Sequence, residues 1–377
     1  MEKYRKFADQ TNGINPFINA ARIKKQTTIM LIISFIMYFV TIIKAILFSI
    51  FLIIYVILHD LKKLFYFDCF VRLIEISINK LFCLVFLGLL GVYSFNEDNN
   101  YIKTSNLLNH SLNNNYKNNK KTIMLSSQSN LIDWLILVYN HSPKILYLIK
   151  SSKELSKNKE TSVDILVQLS YLDIFTFGAG IKIDTIDNDT TLNQINQNEL
   201  KYFNGRKVFD LTKELSNQKQ SNIPILIFPE GTKTTREACL NIRSSVMNNL
   251  YDNLLKNKCD IFCFVTIYKY DYFCPNNTTD TKGLKNLILT MSQLYNKVKL
   301  QGVKINANNF DVERVDRSLV QKYKNKYYYY DSLIQEILTY SEFRNNIVNL
   351  NCLDHIEFLE FYNLANSSTN YVKDKKE

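Results

Sequence analysis

Thirty residues, Ile29 to Leu58, run almost without a polar side chain, and they restrict this chain more than anything else in it; only Ser34, Thr41, Lys44 and Ser49 interrupt them. As a single helix the run is about 45 Å long against a hydrocarbon core of about 30 Å, too long for a simple upright span. It begins too late and continues too far for a cleaved signal peptide. A lysine near the middle is costly in hydrocarbon, so Lys44 either snorkels or marks a bend between two shorter membrane-entering helices. Residues 1–28 carry six basic and two acidic side chains, which argues for a cytosolic N-terminal segment. Lys62 and Lys63 lie close to the other end. Basic residues on both flanks favour a membrane anchor over 29–58 that is re-entrant, although no Gly or Pro inside the run marks its turn.

Past the anchor the sequence changes character. Cys69 to Leu90 reads as a second apolar helix whose last part, LFCLVFLGLLG, is apolar all round; it is either buried in protein or pressed into a lipid interface. Residues 96–121 are polar and asparagine-rich and read as a surface loop. A strand and helix alternation then begins: Thr122 to Leu125 as strand, Leu131 to Asn140 as helix, Lys144 to Ile149 as strand, Ser162 to Leu172 as helix, Ala179 to Asp184 and Ile223 to Pro229 as strands. Asp260 to Tyr268 forms a further strand, and Thr281 to Leu300 and Asp331 to Asn349 are read as helical. Short apolar strands alternating with helices predict an α/β domain over 69–365 with a mainly parallel sheet flanked by helices, preceded by the N-terminal membrane-anchoring helical segment. The tail, 366–377, reads as disordered.

Composition narrows the function classes. A formal net charge of +11 attracts the chain to polyanions: nucleic acid, an anionic membrane surface or a phosphorylated substrate. No stripe of Arg and Lys interleaved with aromatics sits on a recognisable module, so nucleic acid is not expected. The aromatic cluster KNKYYYYD, Lys324 to Asp331, reads as a packing or interfacial feature. Seven cysteines without metal-type pairing and only four histidines give no metal site and point to a reduced, cytosol-facing protein. Nothing in the sequence fixes an oligomeric state.

Two loops carry the chemistry. In LIFPEGTKTT, Leu226 to Thr235, an apolar strand ends at once in Glu230 and Gly231. The missing Cβ of Gly231 admits a close phosphate, Thr232 offers a hydroxyl, and Lys233 and Arg236 supply positive charge. An ordinary strand-to-loop turn with solvated charges would read similarly. The other loop, LSSQSNLIDWL, places Gln128 five residues before Asp133, where a strand exit meets a helix start.

These motifs resemble those of the PlsC-type glycerophosphate and lysophosphatidic acid acyltransferases. Phe-Pro-Glu-Gly-Thr followed by a basic residue is among the most specific signatures of that family, and the Gln128 to Asp133 spacing matches a first motif in which the family has His, four residues, then Asp. FGAGIKID, Phe177 to Asp184, is similar to the second motif, with Gly180, Lys182 and Asp184 as its candidates and Thr185 where an arginine is usual. FVTIY, Phe264 to Tyr268, occupies the place of the fourth, with Thr266 in place of proline. The opening MEKYRKFADQTNGINPF and the order of features over residues 1–270 are most similar to the divergent fungal (yeast) lysophosphatidic acid:oleoyl-CoA acyltransferase branch, which also lacks the motif-one histidine.

The resemblance implies an acyl-CoA-dependent lysophosphatidic acid acyltransferase that makes phosphatidic acid for phospholipid and triacylglycerol synthesis. It implies acyl-CoA as co-substrate with no bound cofactor, the membrane as partner, and a place on the endoplasmic reticulum membrane and lipid droplets with the catalytic domain facing the cytosol. In the family the histidine accepts the proton of the attacking hydroxyl and the Asp orients the ring, a contribution of about 10²- to 10⁴-fold. A glutamine amide cannot accept that proton at neutral pH. Either Asp133 itself serves as the base, or another histidine such as His141 is recruited, or the chain is a catalytically inactive lipid-binding or scaffold protein at the same surface.

Overall fold

The computed structural model describes residues 6–8, 15–17, 28–61, 68–98, 122–128, 130–150, 164–178, 202–203, 206–209, 223–234, 238–242, 245–257, 259–269, 283–293 and 295–305, with scattered residues between 327 and 361. Residues 99–121 of the asparagine-rich stretch, the segment 179–201 with Gly180, Lys182 and Asp184, Arg236 and the C-terminal tail lie outside the described residues.

The chain is an α/β protein. Its main sheet has seven strands: β1 (Phe95–Asp98), β2 (Thr122–Ser126), β3 (Lys144–Lys150), β4 (Asp164–Gln168), β7 (Ile225–Ile227), β9 (Asp260–Lys269) and β10 (Lys297–Ile305), in the order β1-β10-β9-β2-β7-β3-β4. Four of the six pairings are parallel; β10 with β9 and β3 with β4 are antiparallel. Two short pairs stand apart, β5 (Tyr202–Phe203) with β6 (Arg206–Lys207) and β8 (Ala238–Cys239) with β11 (Asn346–Ile347).

Alternation along the strands supplies two cores. Met124, Ile145, Tyr147, Leu226, Phe262 and Phe264 face one layer, built from the helices α1 (Thr28–Leu61), α2 (Asp68–Leu89), α3 (Leu131–His141) and α4 (Tyr171–Gly178). Their sequence neighbours Ile123, Leu125, Leu146, Ile227, Ile261 and Cys263 face the other, where α5 (Ser245–Asn257) contributes Met247, Leu250 and Tyr251. Strands buried on both faces explain the near-continuous apolar runs in the sequence. Tyr330, Ile334 and Leu338 close the second layer, and Tyr251 donates to Asp331 Oδ1 at 2.9 Å. Tyr330 of the tyrosine cluster is therefore core.

The apolar run read as an anchor is one continuous helix of 34 residues, with no break at Lys44. It runs antiparallel to α2: Phe48 meets Phe86 with ring centroids 4.8 Å apart, Tyr55 donates to Asn79 Oδ1 at 2.8 Å, and His59 lies 3.9 Å from Glu75. Met37, Thr41, Phe48 and Tyr55, at helical spacing, are buried, whereas Ile36, Ile43, Ile46, Ile50, Ile53 and Ile57 are exposed. One stripe of α1 thus packs on protein and the other presents bare hydrocarbon. The last part of α2 divides likewise, with Phe86 and Leu87 buried and Leu81 and Leu84 exposed. Lys44 neither bends the helix nor hangs free. Its Nζ donates to the Met291 carbonyl at 3.0 Å, at the C-terminal end of α6 (Gly283–Met291).

Several sequence expectations are corrected: Asn346 and Ile347, inside the stretch Asp331 to Asn349 read as helical, form β11 against β8, and Asn96 to Asp98, read as the start of the surface loop, belong to β1 beside β10. In the stretch Ser162 to Leu172, read as helix, the described residues form strand β4 from Asp164 and then the start of α4. β4 pairs with β3 as an antiparallel edge, and the helix begins only after Ser170, whose backbone N–H and hydroxyl both donate to Asp173 Oδ2. The expected helix through Leu300 ends at Met291, because Lys297 to Ile305 forms a ladder with β9.

Candidate functional site

Strand β2 lies between β9 and β7. The chain leaves β2 through α3 toward β3 on one side, and leaves β7 toward β9 on the other. Such a reversal opens a crevice at the carboxyl ends of the strands, the usual ligand position in an open α/β sheet. Both sequence loops are at that edge: Ser127 to Asn130 follows β2, and Phe228 to Thr234 follows β7.

The first loop is held by the start of α3. Asn130 is the N-cap; its Oδ1 accepts from Ile132 N at 2.7 Å, and its own N–H donates to Asp133 Oδ2 at 3.1 Å, completing a capping box. The carboxylate also complements the positive end of the helix dipole. Its second oxygen, Oδ1, accepts the phenol proton of Tyr268, which reaches across from β9. The Tyr268 oxygen is also 3.1 Å from Asn130 Oδ1. With a single proton to give, the phenol bonds the charged carboxylate and keeps the amide oxygen as an alternative acceptor. Asp133 is completely buried and Tyr268 is half-buried. At the other end of α3, Ser142 takes a left-handed conformation at φ 43°, and Arg72 of α2 donates to its carbonyl at 2.7 Å.

Gln128 is 1% exposed, and among the described residues neither end of its amide makes a hydrogen bond. The hydroxyl of Thr266 on β9 is in the same condition. Buried polar groups are nearly always satisfied, so two unsatisfied ones at the same sheet edge are unusual.

The second loop turns sharply. Gly231 has φ 65°, a left-handed value that favours glycine, and its N–H donates to Phe228 O at 3.1 Å. Glu230 points inward: it is fully buried and its Oε2 accepts from Leu240 N at 3.2 Å. Lys233 is buried, while Gly231 and Thr232 are half-exposed. Tyr147 of β3 donates to Gly231 O at 3.2 Å, bracing the turn from beneath.

The two loops are joined directly, since Thr234 N donates to Gln128 O at 3.1 Å. Trp134, next to Asp133, stacks its ring 4.5 Å from Phe228 and 6.5 Å from Tyr147, so the same pair of loops also shares a core. Gln128, Asp133, Glu230, Gly231, Thr232 and Lys233 are thus gathered at one sheet edge. His141 sits at the far end of α3, against Phe264 at 5.1 Å. The partners that sequence reading missed are Tyr268, Tyr147 and Thr234. The Asn130 to Asp133 capping box was visible as a spacing, but no local signal joins Asp133 to a tyrosine 135 residues away.

No protein-family model, no curated protein and no solved structure matches this chain.

Proposed function

We propose that this chain is an acyl-CoA-dependent lysophosphatidic acid acyltransferase with a PlsC-like domain, working at a membrane surface to make phosphatidic acid. The observation that carries the reading is the hydrogen bond from Thr234 N to Gln128 O, which holds the anion-binding loop against the loop of Asp133. An acyltransfer site needs a cradle for the acceptor phosphate beside a place where its hydroxyl can meet a thioester. Gly231, Thr232 and Lys233, with Arg236 following, offer the first. The buried amide of Gln128 could donate to the oxygen of the thioester carbonyl as it gains negative charge. Glu230 acts on the phosphate indirectly, by fixing the turn that presents Gly231.

The bare hydrocarbon face of α1, continued by Leu81 and Leu84 of α2, suits a helix pair lying in the headgroup region, with lipid on one side and the domain on the other. Both flanks can then stay on the cytosolic side, an arrangement compatible with a bilayer or with the monolayer of a lipid droplet. The motif resemblance supports the endoplasmic reticulum and lipid droplets as the location, and oleoyl-CoA as donor.

One observation favours a second reading, a catalytically inactive relative that binds its lipid as a scaffold. Both oxygens of Asp133 are already hydrogen-bonded, and the residue is sealed from solvent, so an acceptor hydroxyl does not reach it directly. The deciding experiment is transfer of labelled oleate from oleoyl-CoA to lysophosphatidic acid by detergent-purified protein, beside a Glu230→Gln variant. That variant keeps an acceptor for Leu240 N but loses the charge that strengthens the bond, so the turn loosens and transfer falls at least tenfold. Product from the wild type and little from the variant supports the enzyme. Binding of lysophosphatidic acid without product in either supports the scaffold.

A further inference from the structure

Resting on the acyltransferase reading, we propose that Tyr268 is the catalytic residue that touches the acceptor hydroxyl, and that Asp133 receives the proton through it. Among the described residues around Asp133 the exposures are graded. Asp133 is completely buried, Gln128 and Asn130 are nearly so, and Tyr268 alone of the four is half-exposed. Its side chain therefore links the buried carboxylate to the partly exposed part of the sheet edge, with its proton directed at Asp133 Oδ1. Among the described residues, it is the hydroxyl hydrogen-bonded to that carboxylate that belongs to a partly exposed side chain.

The strands explain why a residue so distant supplies this group. β9 runs past the end of β2: Ser126 is paired with Phe264, and Val265 to Lys269 continue alongside the β2–α3 loop. On β9 the even-numbered side chains Phe262, Phe264, Thr266 and Tyr268 share the α3 face, so Tyr268 arrives beneath the helix start where Asp133 sits. The antiparallel neighbour β10 clamps that overhang along its whole length, with Val298 opposite Tyr268. A relay on a strand braced in this way is held rigidly enough for proton transfer.

The step balances without a co-reactant. The acceptor hydroxyl gives its proton to the Tyr268 oxygen while the phenol gives its own to Asp133 Oδ1. The alkoxide electron pair forms the new carbon–oxygen bond at the thioester carbonyl. When the tetrahedral intermediate collapses, the carbon–sulfur bond breaks and the thiolate of coenzyme A leaves. The proton then returns from Asp133 through Tyr268 and ends on the departing sulfur, which restores both residues.

The test is steady-state acyl transfer from oleoyl-CoA to lysophosphatidic acid by the full chain in detergent micelles. It compares wild type, Tyr268→Phe, and a series of fluorinated tyrosines incorporated at position 268. Loss of general-base assistance lowers kcat of the Phe variant by about 10²- to 10⁴-fold with KM nearly unchanged. The fluorinated residues keep ring, hydroxyl and hydrogen bond, so they report even where the Phe variant is poorly folded. Their kcat is expected to change progressively with phenol acidity, a dependence that a purely structural hydroxyl would not produce. An active wild type whose kcat is insensitive both to Phe and to the fluorinated series overturns the role of Tyr268 and leaves the acyltransferase reading standing. A folded wild type without turnover overturns that reading, and the relay with it.

Discussion

Lys44 offers a test in which the sign of the effect separates two pictures of the anchor. The perturbation is Lys44→Met, which keeps an unbranched side chain of similar length in the same groove. In the structure described above, the ammonium donates to Met291 O at the negative end of α6, at 3.0 Å. A charged hydrogen bond of this kind contributes about 1.5–3 kcal/mol, and the helix-end charge effect acts through the same contact rather than adding to it. Removing the lysine therefore costs about 2 kcal/mol and loosens α1 from the domain. Were α1 instead a span surrounded by lipid, the same substitution would remove a charge whose burial at the bilayer centre costs about 2.5–3.5 kcal/mol, and the protein would gain stability. The assay is unfolding of the wild type and Lys44→Met in one mild detergent, followed by heat and by denaturant. A midpoint several degrees lower for the variant is expected. A variant as stable as the wild type, or more so, refutes the docked helix and the argument built on its inner stripe.

Two further outcomes are expected. At Gly178 a Cβ would lie 2.8 Å from Leu131 Cδ1 and 3.0 Å from Leu131 Cα, so Gly178→Ala must push the first residue of α3; a loss of about 1–3 kcal/mol in unfolding free energy is expected, together with a fall in acyl transfer, because Asp133 moves with the helix start. Tyr251 is buried beside Asp331, and burial first, then the Asp331 charge, raises its pKa well above the ordinary 10.0. Above that pH the unfolded phenol ionises while the folded one stays protonated, so the folded state binds more protons and stability falls as pH rises. Tyr251→Phe should make this alkaline slope shallower in unfolding experiments, the buried Cys83 and Cys263 thiols contributing with the same sign, at a cost of about 1–3 kcal/mol near neutrality because the Asp331 carboxylate loses a buried donor.

The parts of the fold that were legible in the sequence are those whose determinants are local. β2, α3 and β3 follow from buried apolar runs of strand and helix length, and all three are where they were expected. β4 was misread because Ile165, Leu166, Val167 and Leu169 suit a helix face as well as an edge strand; the start signal Ser170 to Asp173, five residues on, marked the true helix. β10 was absorbed into a helix although Val298 and Leu300 alternate with Lys297 and Lys299, a period of two that was there to be read. At the site, spacing located Gln128, Asp133 and the Glu230 to Lys233 turn. It did not distinguish a side chain that faces ligand from one that faces protein. Glu230 turns inward to Leu240 N, and Asp133 is closed off by Tyr268, both through contacts set by the sheet order rather than by neighbours in the chain.

The chain has a single tryptophan, and its ring packs against the second loop at Phe228. Trp134 is fully shielded from water, next to Asp133 in sequence and in van der Waals reach of Phe228, two residues before Glu230. All indole emission from this protein therefore originates at one point between the Phe228 to Thr234 turn and the start of α3. An event that parts the loops would admit water to that ring and move the emission to longer wavelength. The protein thus has a native optical reporter for its own site, readable in membranes and without any label.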